Sequence, residues 1–141
     1  MPSLILRKEH KIYRLIAGLS KNDRLEASDV LERKGQCYVL FDNRTQIARL
    51  RKDLKKHDNN QMLGSKGRDS GFECITFNEQ ENRFYVMIEA LDIGAQYKAQ
   101  LNEYDTSFQL LETHLLDFVF HSGNKGCCGK LFQGSRRSDG S

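Results

Sequence analysis

The sequence predicts an all-β fold, and within that class an incomplete β-propeller of two four-stranded antiparallel blades and an aborted third. Three observations lead there. Short runs rich in Val, Ile, Phe and Tyr recur between Asn, Asp, Gly and charged residues, a spacing of strands rather than helices. Two of these runs, Cys37 to Phe41 and Arg83 to Leu91, carry apolar residues at consecutive positions, so both faces of each strand need cover. The third is an internal repeat, in which the stretch from Glu26 to Leu54 lies over the stretch from Gly71 to Phe118.

Residues 1–23 are read as an N-terminal strand segment, with a strand at Ile12 to Leu19. The run Leu4-Ile5-Leu6 is followed at once by Arg7, Lys8 and Glu9, so it lacks the continuous apolar region of a secretory signal. No apolar run approaches the ~20 residues that a membrane span requires. On this reading the chain stays in the cytoplasm, where its four cysteines are expected as free thiols, Cys37 and Cys74 as small core residues.

The first repeat occupies residues 24–68 and the second residues 69–121. Aligning them places Val30 on Ile75, Tyr38 on Tyr85, Val39 on Val86, Ala48 on Ala99 and Leu50 on Leu101. In the second repeat the expected strands are Phe72 to Phe77, Arg83 to Leu91, Tyr97 to Tyr104 and Phe108 to Phe118. A meander of about 45 residues is the unit of a propeller blade, which buries both faces against its neighbours. A lone β-sandwich is the competing architecture. Residues 122–141 read as an aborted third repeat and a disordered tail rich in Gly and Ser, as if the chain were cut short or frame-shifted near residue 126.

The 22 basic and 19 acidic residues leave a net charge of +3 spread along 141 residues. The densest basic run, Arg49 to Lys56, is broken by Asp53 and has no interleaved aromatic for base stacking, so no specific nucleic acid is expected.

Specific residues then resemble a known group. Gly71-Phe72-Glu73-Cys74-Ile75 with Phe84-Tyr85-Val86-Met87-Ile88-Glu89, and Glu26-Ala27-Ser28-Asp29-Val30 with Tyr38-Val39-Leu40-Phe41-Asp42-Asn43, are similar to the paired blade motifs of the phytase-like esterase and SdiA-regulated β-propellers. In such propellers the opening strands line a central channel. The resemblance therefore implies a converging carboxylate set of Glu26, Asp29, Asp42, Glu73 and Glu89 that can offer calcium its hard oxygen ligands. The same carboxylates can equally pair with Arg or Lys or accept backbone hydrogens.

No nucleophile, acid or base is assigned from spacing. GNKGCCGKL falls short of a phosphate loop, because Asn124 stands where the first glycine belongs and Leu131 follows Lys130. Cys127 and Cys128 are adjacent rather than spaced as zinc ligands, and His114, among Leu111, Leu115 and Leu116, reads as a partly buried strand residue. The expected function is a ligand-binding or scaffold propeller module, truncated and without activity alone. The alternative is a calcium-dependent phosphoester or ester hydrolase. The expected partners are a small phosphorylated or ester ligand and other copies of the chain, met through open sheet edges.

Overall fold

The structure is a computed structural model that describes residues 3–65 and 71–120. The aborted third repeat and tail at 122–141, with Cys127 and Cys128, lie outside the described residues, as does the side chain of Glu89.

Among the described residues, one helical turn, α1 (Ile12–Leu15), precedes eight strands: β1 (Ala27–Arg33), β2 (Gln36–Phe41), β3 (Ile47–Arg51), β4 (Gln61–Leu63), β5 (Cys74–Asn78), β6 (Arg83–Ile93), β7 (Gln96–Tyr104) and β8 (Leu110–Phe120). These strands lie in two sheets in the orders β1-β2-β3-β4 and β5-β6-β7-β8, and every pair among them is antiparallel. Between the paired residues Arg33 and Gln36 the turn residues Lys34 and Gly35 both have positive φ, the backbone twist that joins two right-twisted strands by two residues.

The sheets share one apolar layer. Tyr38, Leu40 and Ile47 of the first sheet meet Ile75, Phe84, Val86, Ile88 and Tyr104 of the second, with Phe72 and Phe108 from its loops. Phe84 lies 4.8 Å from Tyr38 and 4.7 Å from Phe77, ring centre to ring centre, and Tyr104 stacks on Phe108 at 4.1 Å. Tilted and offset ring pairs of this kind add to the stabilisation given by area burial. The opposite face of the first sheet is covered by the N-terminal segment, where Leu15 and Ile16 pack on Phe41, Ala48 and Leu50. The buried Asn60 fixes that cover, donating to the carbonyls of Leu15 and Lys55 and accepting the Arg51 N–H.

Three expectations are corrected. The segment read as a strand from Ile12 to Leu19 holds a single helical turn, Ile12–Leu15, which ends at the extended Ile16 and turns Ile12 and Leu15 toward the first sheet. The repeat alignment slips in its second half. Val39 pairs with Ala48, but Val86 pairs with Asn102 rather than Ala99, since β6 and β7 are longer and the ladder is irregular between Ile88 and Leu91.

The propeller itself is the third correction. A closed ring takes about four to eight sheets around an axis. Here two sheets stand open and neither closes, so the domain is a small two-sheet all-β unit with no phytase-like or SdiA-regulated topology. Strands that are apolar on both faces find their cover differently from blades in a ring. For the first sheet it is the second sheet on one side and the N-terminal segment on the other.

Candidate functional site

Strand alternation divides the second sheet's chemistry between its faces. Phe84, Val86 and Ile88 of β6 enter the shared core, so Arg83, Tyr85 and Met87 project from the other face. The ladder sets Tyr85 opposite Glu103 of β7, and Glu103 opposite Glu112 of β8. His114 follows Glu112 by two residues on the same strand and so shares its face.

Glu103 is the centre of this group. Its side chain is largely buried, and its Oε2 lies 3.4 Å from His114 Nε2 and 3.6 Å from an Arg83 guanidinium nitrogen. The Tyr85 hydroxyl donates its proton to a Glu81 carboxylate oxygen. That hydroxyl, helped by His114 and Arg83, holds the Glu103 carboxyl below the usual range of a glutamate, whereas the Tyr85 hydroxyl is pushed well above its ordinary value, first by Glu81 and then by Glu103. Glu112 Oε2 stands 3.8 Å from His114 Nε2, and the Glu112 and His114 side chains reach solvent.

One ligand atom each from Glu103, Glu112 and His114 can be chosen so that all lie within 4.8 Å of one another, a group able to coordinate a metal ion. Two carboxylate oxygens with an imidazole nitrogen suit zinc, manganese or iron(II) better than calcium, which prefers an all-oxygen shell.

Of the five carboxylates expected from sequence, Glu26, Asp29, Asp42 and Glu73 lie among the described side chains and away from this group, while the Glu89 side chain lies outside them. Asp29 accepts the backbone N–H of Ile75 with Oδ2 at 3.0 Å and that of Val30 with Oδ1 at 2.8 Å, and so joins the two sheets. Glu26 and Asp42 are exposed and meet through the backbone, the Glu26 carbonyl accepting the Asp42 N–H at 2.9 Å. Glu73 is half-buried, its N–H donating to the Met87 carbonyl. Among the described residues, the three-residue group with metal-ligand chemistry includes none of Glu26, Asp29, Asp42 or Glu73.

Sequence reasoning missed the group that is present. A Glu-x-His pair inside a predicted strand puts both side chains on one face, and that signal was readable at Glu112 and His114. Their partner Glu103 depends on strand register, which is not a local property.

The second feature of this sheet is its outer edge. β8 ends the strand order and has no further strand beside it among the described residues. Leu110, Leu111 and Leu115 on it are all exposed. Edges of this kind invite pairing with another chain. No helix among the described residues is long and apolar enough to cross a membrane.

Comparison of the chain with protein-family models, with curated proteins and with solved structures returns no match. The reading as a propeller module, or as a phytase-like calcium-dependent hydrolase, falls with the propeller architecture it required.

Proposed function

We propose that this chain is a β-sheet module that binds a divalent transition-metal ion, zinc being the best fit, on the outer face of its second sheet. The observation that carries the reading is the mutual approach of Glu103, Glu112 and His114, whose ligand atoms fall within 4.8 Å of one another. Three further features support it. Glu103 is held as the anion, so no proton has to leave it. The ladder pairing of β7 with β8 fixes two of the three ligands across one strand gap, which lowers the ordering cost of binding. Glu112 and His114 reach solvent, so water or an external ligand can fill the remaining positions.

The test is calorimetric titration of zinc into the wild type, His114→Ala and Glu112→Gln. The expected result is one site in the wild type, weakened about tenfold or more in each variant and absent for calcium. Equal heats for all three proteins would discard the metal site.

A second reading, self-association through the open edge of β8, is favoured by the three exposed leucines on that strand. A sedimentation coefficient that rises with protein concentration is its signature, and one that stays constant rejects it.

A further inference from the structure

We propose that the strand completing β8 comes from a second copy of this chain, as the N-terminal arm of residues 3–8. The proposal rests on the self-association reading and names its partner segment. The arm has no secondary structure, and Leu4, Ile5 and Leu6 are 105%, 67% and 80% exposed, an apolar run left largely in water. Apolar surface of this kind is unfavourable unless something covers it. On the other side of the match, Leu110 and Leu115 of β8 are 55% and 45% exposed on a strand with one side unpaired among the described residues.

The sequences of the two segments select a register. β8 alternates between faces, with Thr113 and Leu115 on the side of Asn102 and Gln100, and Glu112 and His114 on the side of Glu103 and Leu101. An antiparallel arm with Leu4 opposite Leu115 brings Leu6 opposite Thr113 and Ile5 opposite His114, and sets Arg7 opposite Glu112. The leucines then add to the apolar face, and Arg7 meets Glu112 on the polar face, so the docked arm and a metal ion compete for that carboxylate. The parallel arrangement with the same first pair sets Arg7 and Lys8 against Phe118 and Val119, which wastes both charges. The arm is also placed to leave its own molecule. Its root, at Leu15 and Ile16, packs on the face of the first sheet turned away from the second sheet, to which β8 belongs. A reciprocal exchange of two arms gives a closed dimer with one isologous symmetry.

The experiment has two arms. Sedimentation equilibrium of the wild type and of Leu4→Asp/Leu6→Asp measures the dimer constant; the substitutions lie in an exposed segment, so the fold is expected to stay intact. The dimer should weaken on the order of a hundredfold or more in the variant. In parallel, Leu4→Cys/Leu115→Cys in a Cys127→Ser/Cys128→Ser background should give a covalent dimer on mild oxidation, because directly opposed strand residues sit at about the Cα separation a disulfide needs. Leu4→Cys/Val30→Cys, with Val30 exposed on β1, is the control and should stay uncrosslinked. A wild type that remains monomeric overturns both the arm exchange and the edge reading. A dimer insensitive to the arm substitutions, or one that crosslinks equally through position 30, overturns the arm exchange alone.

Discussion

Asp29 and Ile75 join the two sheets, the carboxylate of one accepting the backbone N–H of the other at 3.0 Å across the junction of β1 and β5. The contact does not stand alone. The Ser28 hydroxyl donates to the Phe72 carbonyl, and Arg33 at the far end of β1 lies 3.6 Å over the Phe77 ring while pairing with Glu79. Polar clamps thus rim the apolar layer on the side where the chain crosses from one sheet to the next.

Removing the central clamp has a calculable cost. Asp29→Ala leaves the Ile75 N–H without its charged acceptor, and a hydrogen bond to a charged group contributes about 1.5–3 kcal/mol. A loss of that size in urea unfolding is expected, with Asp29→Asn intermediate because the amide oxygen can still accept. An Asp29→Ala protein as stable as the wild type would show that the sheets do not depend on this bond.

Gly71 is expected to tolerate no side chain. A Cβ built there would stand 1.8 Å from the Asp42 carbonyl carbon and 1.9 Å from its oxygen, and backbone cannot swing aside as a side-chain tip would. Phe72 is tied to the same place by its N–H bond to the Phe41 carbonyl at 2.8 Å. Gly71→Ala should therefore fail to give the native two-sheet packing, read as loss of dispersed amide NMR signals. A folded Gly71→Ala protein would contradict the close approach.

Val86 and Val39 should differ in their response to charge. Val86 is fully buried in the layer between the sheets, while Val39 is half-buried under the N-terminal segment. Placing an aspartate at position 86 buries a charge that has no partner and costs several kcal/mol. Val86→Asp is expected to abolish folding at room temperature, and Val39→Asp to lower the unfolding midpoint while leaving a folded population. Equal effects would show that the two faces are equally dry.

The Tyr85 hydroxyl gives a pH signature. Because Glu103 titrates lower when folded than when unfolded, its contribution is present above the unfolded value of about 4.3 and is lost as pH falls through the folded one. Tyr85 is shifted upward, so its contribution is present below about pH 10 and is lost as pH rises toward its folded value. Tyr85→Phe removes the largest cause of the Glu103 shift. Its stability difference from the wild type should be greatest near neutral pH and shrink in acid, as read from denaturant midpoints across pH; a difference independent of pH would reject the hydrogen bond.

Arg83 stands 3.6 Å from Glu103 and would compete for it with a metal ion bound as proposed. Arg83→Gln is therefore expected to tighten zinc binding, the reverse of the ligand substitutions. In the wild type the affinity should rise with pH, since imidazole binds a metal only when neutral and gives up its proton in doing so. Zinc binding unchanged by Arg83→Gln and flat with pH would place any ion elsewhere.

Strand positions were legible because alternation is local. Cys37 to Phe41 and Arg83 to Leu91 lie within β2 and β6 almost residue for residue. Sheet number and closure are not written in any one strand, and two neighbouring meanders look alike whether or not a ring follows. The helical turn at Ile12–Leu15 was missed because four residues give little period to read. The Glu103, Glu112 and His114 group needed the register of β7 against β8, which is irregular between Lys98 and Gln100 and between Glu103 and Tyr104. No spacing rule crosses such irregularities.

The aromatic layer between the sheets also gives the protein a built-in optical reporter. The chain has five tyrosines and no tryptophan. Tyr38 and Tyr104 stand inside that layer, one 4.8 Å from Phe84 and the other stacked on Phe108. Their near-ultraviolet circular dichroism therefore tracks the separation of the two sheets, while the far-ultraviolet band tracks the strands within each. Divergence of the two signals on heating would reveal sheets that part before they melt, with no label attached.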